Sequence, residues 1–161
     1  MNKETIILKN FSMVGQAIDI LNDEGKIVVD FSQLSETEKE SCMNFIEGDI
    51  YAFDGTKTKL VEDTYSFSIE KPELIDHSSE MVCEYLIINP EGKYDVADVI
   101  IRGDSIIYDL SHMKSDEMRA AFDFIAGTIY GMSGKIEKVG ENIFKGVTVK
   151  KKMDKESNPD V

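Results

Sequence analysis

Residues 109–134 read DLSHMKSDEMRAAFDFIAGTIYGMSG, and residues 30–55 read DFSQLSETEKESCMNFIEGDIYAFDG. At an offset of 79 positions the two stretches align without a gap. The alignment keeps the order of phenylalanine, glycine and tyrosine, in the pairs Phe45/Phe124, Gly48/Gly127, Tyr51/Tyr130 and Gly55/Gly134. A repeated order of this kind indicates that one structural unit occurs twice in the chain.

The repeat predicts the domain organisation. We expect a first copy over 1–70, a linker over 71–80, a second copy over 81–149, and a disordered charged tail over 150–161. A unit of this size is marginal alone, so pairing of the copies would bury additional surface. The sequence therefore predicts an intramolecular pseudo-dimer.

Both copies predict the same order of elements. Gly25 and Gly103 are expected to stop the first helix of each copy. Ser35 with Glu38 forms a capping box for the second helix of copy one, and Ser115 is the expected cap of the second helix of copy two. Gly48 and Gly127 are expected to end these second helices. The predicted strands are 5–10, 26–31, 49–53, 56–61 and 64–69, then 82–89, 105–110, 128–132, 135–139 and 142–149. The fold class is α+β, with two helices on one face of a mostly antiparallel β-α-β-α-β-β-β sheet.

Composition excludes several classes of protein. The chain has 161 residues, 42% of them hydrophobic, and a net charge of −13, which disfavours binding to a phosphate backbone. No apolar run is long enough to span a membrane, and the N-terminus lacks a secretory signal, so we expect a cytoplasmic protein. Residues 1–80 hold 7 basic and 17 acidic side chains, whereas residues 81–161 hold 11 and 14. Two copies that differ so much in charge are not expected to share identical partners.

The residues predict no catalytic or metal site. The two cysteines lack metal-ligand spacing, and His77 and His112 lack a positioned partner. Asp30 and Asp109 occupy equivalent strand ends, where turn capping explains them better than acid catalysis. We therefore expect neither cofactor nor metal.

Some apolar and basic positions need another explanation. Phe45 and Phe124 lie off the main buried stripe of the second helix of their copies. Two interpretations are equally compatible with this position: burial deeper in the core, or a face that docks another subunit. Lys138 and Phe144 flank the last hairpin of copy two, and Lys59 and Tyr65 are their equivalents in copy one. From the residues alone, a solvated lysine beside a core aromatic is the favoured interpretation.

The second copy carries a family likeness. Residues 96–144 resemble the core domain of SepF-type cell-division proteins. The matching positions are Arg119, Asp123, Phe124, Gly127, Tyr130, Gly134, Val139, Gly140, Ile143 and Phe144. Copy one matches more loosely, with Asn44 in place of Asp123 and Val61 in place of Gly140.

The resemblance implies a compact sandwich that binds the C-terminal tail peptide of FtsZ. Family members act as dimers that tether the FtsZ filament to the membrane, and the peptide docks in a groove contacted by residues matching Lys138 and Phe144. Lys59 and Tyr65 keep the residue types, which allows a second, altered groove. The expected interface between copies, or between assembled molecules, comprises Phe45, Phe124, Gly48, Gly127, Tyr51 and Tyr130.

The resemblance favours a non-enzymatic adaptor that binds FtsZ, with self-association allowed and with no nucleic-acid partner. Family members begin with an amphipathic membrane-binding helix, but nothing before Thr5 supplies one, so direct membrane contact is not expected. The second hypothesis is a ligand-sensing regulatory domain with Asp30 and Asp109 lining the seam between copies. An enzyme ranks last, because no base–nucleophile pair is visible.

Overall fold

A computed structural model describes residues 5–70, 73–76, 82–87 and 89–153. These residues form ten strands, four helices and one short 3-10 turn. The strands are β1 (Thr5–Ile7), β2 (Lys26–Asp30), β3 (Thr56–Val61), β4 (Thr64–Ser68), β5 (Leu74–Asp76), β6 (Val82–Ile87), β7 (Ser105–Asp109), β8 (Lys135–Gly140), β9 (Ile143–Val147) and β10 (Lys150–Lys152). The helices are α1 (Val14–Glu24), α2 (Glu36–Ala52), α3 (Lys93–Ile101) and α4 (Ser115–Gly131), and a short 3-10 turn over Phe11–Met13 leads into α1.

Two four-stranded sheets have matching topology. The first has the order β1-β2-β4-β3 and the second the order β6-β7-β9-β8. In each, the first two strands are parallel and the remaining neighbours are antiparallel. The registers also correspond, since Lys59 lies opposite Tyr65 in the first sheet and Lys138 lies opposite Phe144 in the second. The predicted α+β class is confirmed.

Local signals place three of the predicted helix ends correctly. Ser35 Oγ accepts a hydrogen bond from the Glu38 backbone N–H at 3.1 Å, which satisfies one of the free donors at the start of α2. Gly25 ends α1 in the left-handed region at φ 85°, and Gly103 follows α3 at φ 93°. At the start of α4, Lys114 rather than Ser115 occupies the N-cap position and makes no side-chain cap bond.

The predicted ends of the second helices are wrong. Gly48 and Gly127 lie inside α2 and α4, which continue to Ala52 and Gly131. The segments predicted as strands over 49–53 and 128–132 are therefore helical rather than extended. Each sheet consequently has one strand fewer than predicted, and its element order is β-α-β-α-β-β.

The turns that follow the second helices also differ from the prediction. Asp54–Gly55 and Ser133–Gly134 are sequence signals for tight hairpin turns, but in the structure each connects a helix to the next strand, with φ 52° at Asp54 and φ 61° at Ser133. The hairpins close one element later, where Asp63 and Asn142 have φ 60° and 57°. Asparagine and aspartate adopt this left-handed conformation more readily than most residues, which suits them to these turns.

The linker and the tail are partly ordered. Lys150–Lys152, predicted as disordered, form β10 and pair antiparallel with β5, which lies within the predicted linker. Lys152 also forms an ion pair with Asp54. The prediction was wrong for these residues because main-chain pairing, which charge patterning does not reveal, orders them. The rest of the linker at 71–72 and 77–80, and residues 154–161 of the tail, lie outside the described residues.

Each sheet shares a core with two helices. One cluster joins α1 and α2 to β2 and β4 through fully buried residues such as Ile18, Ile46 and Phe67. The other joins α3 and α4 to β7 through residues such as Ile100 and Tyr108. The two clusters meet along α2 and α4, which pack directly against one another.

Candidate functional site

The contact between α2 and α4 holds the six residues expected at an interface. An ideal Cβ on Gly48 would lie 1.9 Å from the carbonyl oxygen of Phe124, and one on Gly127 would lie 1.8 Å from that of Phe45. Only glycine permits helix backbones to approach this closely. Both glycines therefore serve close helix packing rather than helix termination.

The same contact contains matched aromatic pairs. The ring centroids of Phe45 and Tyr130 are 5.8 Å apart, and those of Phe124 and Tyr51 are 5.7 Å apart. Each pair joins a phenylalanine of one helix to a tyrosine of the other, so the two pairs are reciprocal.

The two tyrosines also make equivalent hydrogen bonds. Tyr51 Oη donates to Asp98 Oδ1 at 2.6 Å, and Tyr130 Oη donates to Asp19 Oδ1 at 3.0 Å. Burial, with the bond to Asp98 as a second cause, raises the pKa of Tyr51 to about 12, so this hydroxyl remains a donor at neutral pH. Each tyrosine thus ties one half of the chain to the first helix of the other half.

A buried carboxylate breaks the symmetry of this contact. Asp49 is fully buried on α2, where its Oδ1 accepts a hydrogen bond from Asn22 Nδ2 at 3.0 Å and its Oδ2 has no partner among the described residues. The matching residue on α4 is Thr128, whose hydroxyl donates to the Gly48 carbonyl at 2.8 Å. Burial raises the pKa of Asp49 to about 7, although the Asn22 bond opposes the shift.

Lys138 and Phe144 form part of a surface that we call the β8 shelf, defined as Phe122, Ile136, Lys138 and Phe144. Lys138 and Phe144 are cross-strand partners, so their side chains share one face of the sheet. The ring of Phe144 is half-buried, with its centroid 5.0 Å from that of Phe122 on α4. Lys138 is 60% exposed and lies 3.9 Å from Glu141. The shelf therefore presents aromatic and aliphatic surface beside an accessible ammonium group.

The equivalent β3 shelf comprises Met43, Lys57, Lys59 and Tyr65. Lys57 replaces Ile136, and its ammonium lies 5.8 Å from the ring centroid of Tyr65. The same ammonium pairs with Glu47 at 2.5 Å, and Lys59 pairs with Glu62 at 3.2 Å. The Lys59–Glu62 pair has a counterpart in Lys138–Glu141, so the two shelves differ mainly at Lys57, which pairs with Glu47 where the β8 shelf has the apolar Ile136.

The remaining polar candidates have local structural roles. Asp30 accepts a hydrogen bond from the Ser32 backbone at 2.8 Å, and Asp109 accepts one from Ser111 at the same distance. These bonds are the turn caps that the sequence favours. His112 is exposed, and His77 lies outside the described residues.

Two kinds of feature are absent from the described part of the chain. Residues 5–70, 73–76, 82–87 and 89–153 contain no group of three or more histidine, cysteine, aspartate or glutamate side chains placed to hold a metal ion. In the same residues, no helix has the length and apolarity needed to cross a bilayer.

Comparison with known proteins gives a family match within the second half of the chain. Residues 90–146, which run from just before α3 into β9, match the family model of the cell division protein SepF. The resemblance predicted from the sequence is therefore confirmed, and the match includes both Lys138 and Phe144.

Curated relatives with the same description are similar over a limited length. The SepF of Bacillus pumilus is 27% identical over 94 residues, which cover 56% of this chain and 61% of that protein. The SepF of Listeria monocytogenes is 33% identical over 67 residues, covering 42% of this chain and 43% of the relative. The SepF of Lactobacillus helveticus is 34% identical over 50 residues, covering 31% and 34% respectively. The chain thus spans between about a third and three-fifths of the length of these relatives.

Proposed function

We propose that this chain, whose residues 90–146 are similar to SepF, acts in cell division as a non-enzymatic adaptor that binds the C-terminal tail of FtsZ. The observation that carries the proposal is the β8 shelf, which offers an aromatic surface next to an exposed lysine. A short tail peptide with apolar anchors and acidic groups fits such a surface, because aromatic contacts supply most of the affinity and the ammonium orients the acid.

The edge of the second sheet supports an extended ligand. β8 is the outer strand of that sheet, with β9 as its partner among the described strands. Its exposed basic residues include Lys135 as well as Lys138. Glu137 on β8 and Glu141 beside Lys138 balance these two charges, so the shelf attracts an acidic peptide through the exposed ammonium of Lys138 itself and not through a net positive patch.

The two halves, 1–70 and 81–149, are proposed to be copies of a duplicated unit that pair as a pseudo-dimer. The matching strand orders and the reciprocal contacts of Gly48 with Phe124 and of Gly127 with Phe45 support this relation. So do the equivalent tyrosine–aspartate bonds. A self-complementary contact of this kind is the hallmark of a twofold interface.

The pseudo-dimer proposal predicts the oligomeric state. The α2–α4 surface is already occupied within one chain, so it is not available to a second molecule. Sedimentation equilibrium at micromolar concentration should therefore give a mass near 18.1 kDa. A stable 36 kDa species, twice that mass, whose dissociation exposes the α2–α4 contact, would contradict the proposal.

Divergence of the two shelves predicts that tail binding uses mainly the second. Phe144→Ala removes the central ring and Lys138→Glu reverses the charge, so each should weaken binding of an FtsZ tail peptide by about tenfold or more. Isothermal titration calorimetry with the full chain measures this loss. Tyr65→Ala and Lys59→Glu are the matched controls on the β3 shelf, and they should change the affinity by less than about twofold.

The outcome distinguishes three cases. Unchanged affinity in both β8-shelf variants would remove this shelf from the binding site. Equal losses from both shelves would show that the second, altered groove also binds. Circular dichroism melting of each variant separates loss of binding from loss of fold, which matters most for the half-buried Phe144.

We also propose that the protein works in the cytoplasm and reaches the division site through the FtsZ tail. On this view the tail contact supplies recruitment as well as alignment of the filament. A fluorescent fusion carrying Lys138→Glu should then lose its band at the division site while its expression stays unchanged. Retention of the band would indicate a different means of recruitment.

A further inference from the structure

A polar cleft opens between the first turns of α2 and α4. The two helices run side by side in the same direction, since Ser41 contacts Arg119 near their starts and Asp49 contacts Gly131 near their ends. The cleft has a volume of about 310 Å³. Its lining residues are Thr37, Glu40, Ser41, Asn44, Ser115, Asp116, Arg119, Ala120 and Asp123. We call it the helix-start cleft.

Asp123 gives the cleft an unsatisfied acceptor. The residue is only 7% exposed, and its Oδ2 atom has no hydrogen-bond partner among the described residues. Burial raises the pKa of this carboxyl, while a hydrogen bond from Ser41 and the charge of Arg119 act in the opposite direction. A buried acceptor without a donor is costly, so a ligand that supplies the donor would be stabilised.

The charge of the lining favours a cation. Glu40, Asp116 and Asp123 contribute three carboxylates, and Arg119 contributes one positive charge. The Arg119 Nε–H donates to Ser41 Oγ at 3.0 Å, so this donor is directed at the hydroxyl rather than at Asp123. The cleft therefore keeps a net negative charge at neutral pH.

The helix dipoles do not reverse this preference. Each helix start carries the equivalent of about half a positive charge, which acts mainly over the first turn. That turn already contains Glu36 and Glu38 in α2, and Asp116 and Glu117 in α4. Asp123 lies eight residues into α4, where the dipole has little effect. A phosphate would therefore meet three carboxylates and is disfavoured.

We propose that the helix-start cleft binds an ammonium or guanidinium group, with Asp123 Oδ2 as the acceptor. The site is separate from the β8 shelf, and its ligand is additional to the FtsZ tail. The group can belong to a free polyamine-like molecule or to a lysine or arginine side chain of a polypeptide. Both sources offer a charged donor, so the chemistry of recognition is shared.

The test is a titration of the full chain at constant ionic strength, monitored through its backbone amide chemical shifts in NMR spectra. The probes are agmatine, spermidine and the capped tripeptide Gly-Arg-Gly. At least one probe should give saturable shifts centred on Ser41, Asn44 and Asp123. Tighter binding of the tripeptide than of the free amines would assign the site to a polypeptide side chain, and the reverse order would assign it to a small molecule.

Two substitutions with opposite expected effects on the affinity for the cation make the test more specific. Asp123→Asn should weaken binding at least about tenfold, because a charge-assisted hydrogen bond is lost. Arg119→Gln should tighten binding, because it removes a like charge from an exposed position in the wall. Asp104→Asn, a carboxylate outside the cleft that pairs with Arg102, should leave the affinity unchanged.

Three results would overturn the proposal. They are the absence of saturable binding by any probe up to about 10 mM, equal affinity of the wild type and Asp123→Asn, and unchanged or weaker binding by Arg119→Gln. The last criterion holds even if Asp123→Asn fails to fold, since Arg119 is exposed. Phe144→Ala should retain binding of the cation, so the failure of this site and the failure of tail binding are distinguishable.

Discussion

Replacing Gly127 with alanine should abolish the native packing of α2 against α4. The added Cβ would lie 1.8 Å from the Phe45 carbonyl oxygen and 2.7 Å from its carbonyl carbon. These are backbone atoms in the middle of a helix, so no side-chain rotation relieves the overlap. The helices must separate, and the aromatic pairs and hydrogen bonds along the contact separate with them.

The expected loss exceeds the intrinsic gain from alanine. Alanine favours a helix over glycine by about 1 kcal/mol, whereas overpacking costs about 1–3 kcal/mol and more in occasional cases, to which an overlap with backbone atoms at 1.8 Å belongs. Urea unfolding followed by circular dichroism should show a fall in the free energy of unfolding of at least about 2 kcal/mol. Gly48→Ala should behave alike, because its Cβ would lie 1.9 Å from the Phe124 oxygen.

Gly15→Ala is the matched helical control. Its Cβ would approach only the end of the Tyr130 side chain, at 3.2 Å from the hydroxyl oxygen, and that side chain can move. We expect this variant to stay within about 1 kcal/mol of the wild type. If Gly127→Ala and Gly15→Ala were equally stable, the close approach of α2 and α4 would not be a feature of the folded protein.

Gly48 and Gly127 also show which structural features local sequence signals do not predict. The capping box at Ser35 and the helix stop at Gly25 are local signals, and the structure confirms both. Gly48 and Gly127 also resemble helix stops, followed by runs such as TIY that favour strands. Their helical conformation depends on a contact with a helix 79 residues away, which no local signal reports.

The same limit applies to the candidate sites. The repeat and the family likeness identify Lys138 and Phe144, and the cross-strand register brings the two together. They do not identify Asp49, and they mark Asp123 only as a position that matches the family, whereas the importance of both residues comes from their burial near the opposite helix. One signal was available, since both carboxylates lie next to residues expected at the interface, Gly48 and Phe124. An acidic residue next to an expected interface position is therefore a candidate for a buried carboxylate.

Asp49→Asn should make the protein more stable at alkaline pH. The pKa of Asp49 is raised by burial to about 7 from an ordinary value of 3.8, so the folded state binds its proton more tightly than the unfolded state. The stability that this group contributes is fully present below the unfolded value, falls as the pH rises toward 7, and is lost above it. A difference of this size between the folded and unfolded pKa values corresponds to on the order of 4 kcal/mol.

The substitution removes the charge and keeps the shape. The carbonyl of the introduced amide can accept from Asn22 Nδ2 as the carboxylate does, and its NH₂ group takes the place of the Asp49 Oδ2 atom, which has no partner among the described residues. Urea unfolding of the wild type and of Asp49→Asn at pH 5, 7 and 8.5 should show a stability difference that grows with pH. The gain at pH 8.5 should be at least about 2 kcal/mol.

Asp23→Asn controls for the general loss of one negative charge from a protein of net charge −13. Asp23 is exposed on α1, beside Asn22, so its substitution should change the free energy of unfolding by no more than about 0.5 kcal/mol at each of the three pH values. Parallel pH profiles for the wild type and Asp49→Asn would show that Asp49 does not change protonation across this range. The α2–α4 contact would then carry a permanent buried charge, and the asymmetry between Asp49 and Thr128 would have no effect on the pH dependence of folding.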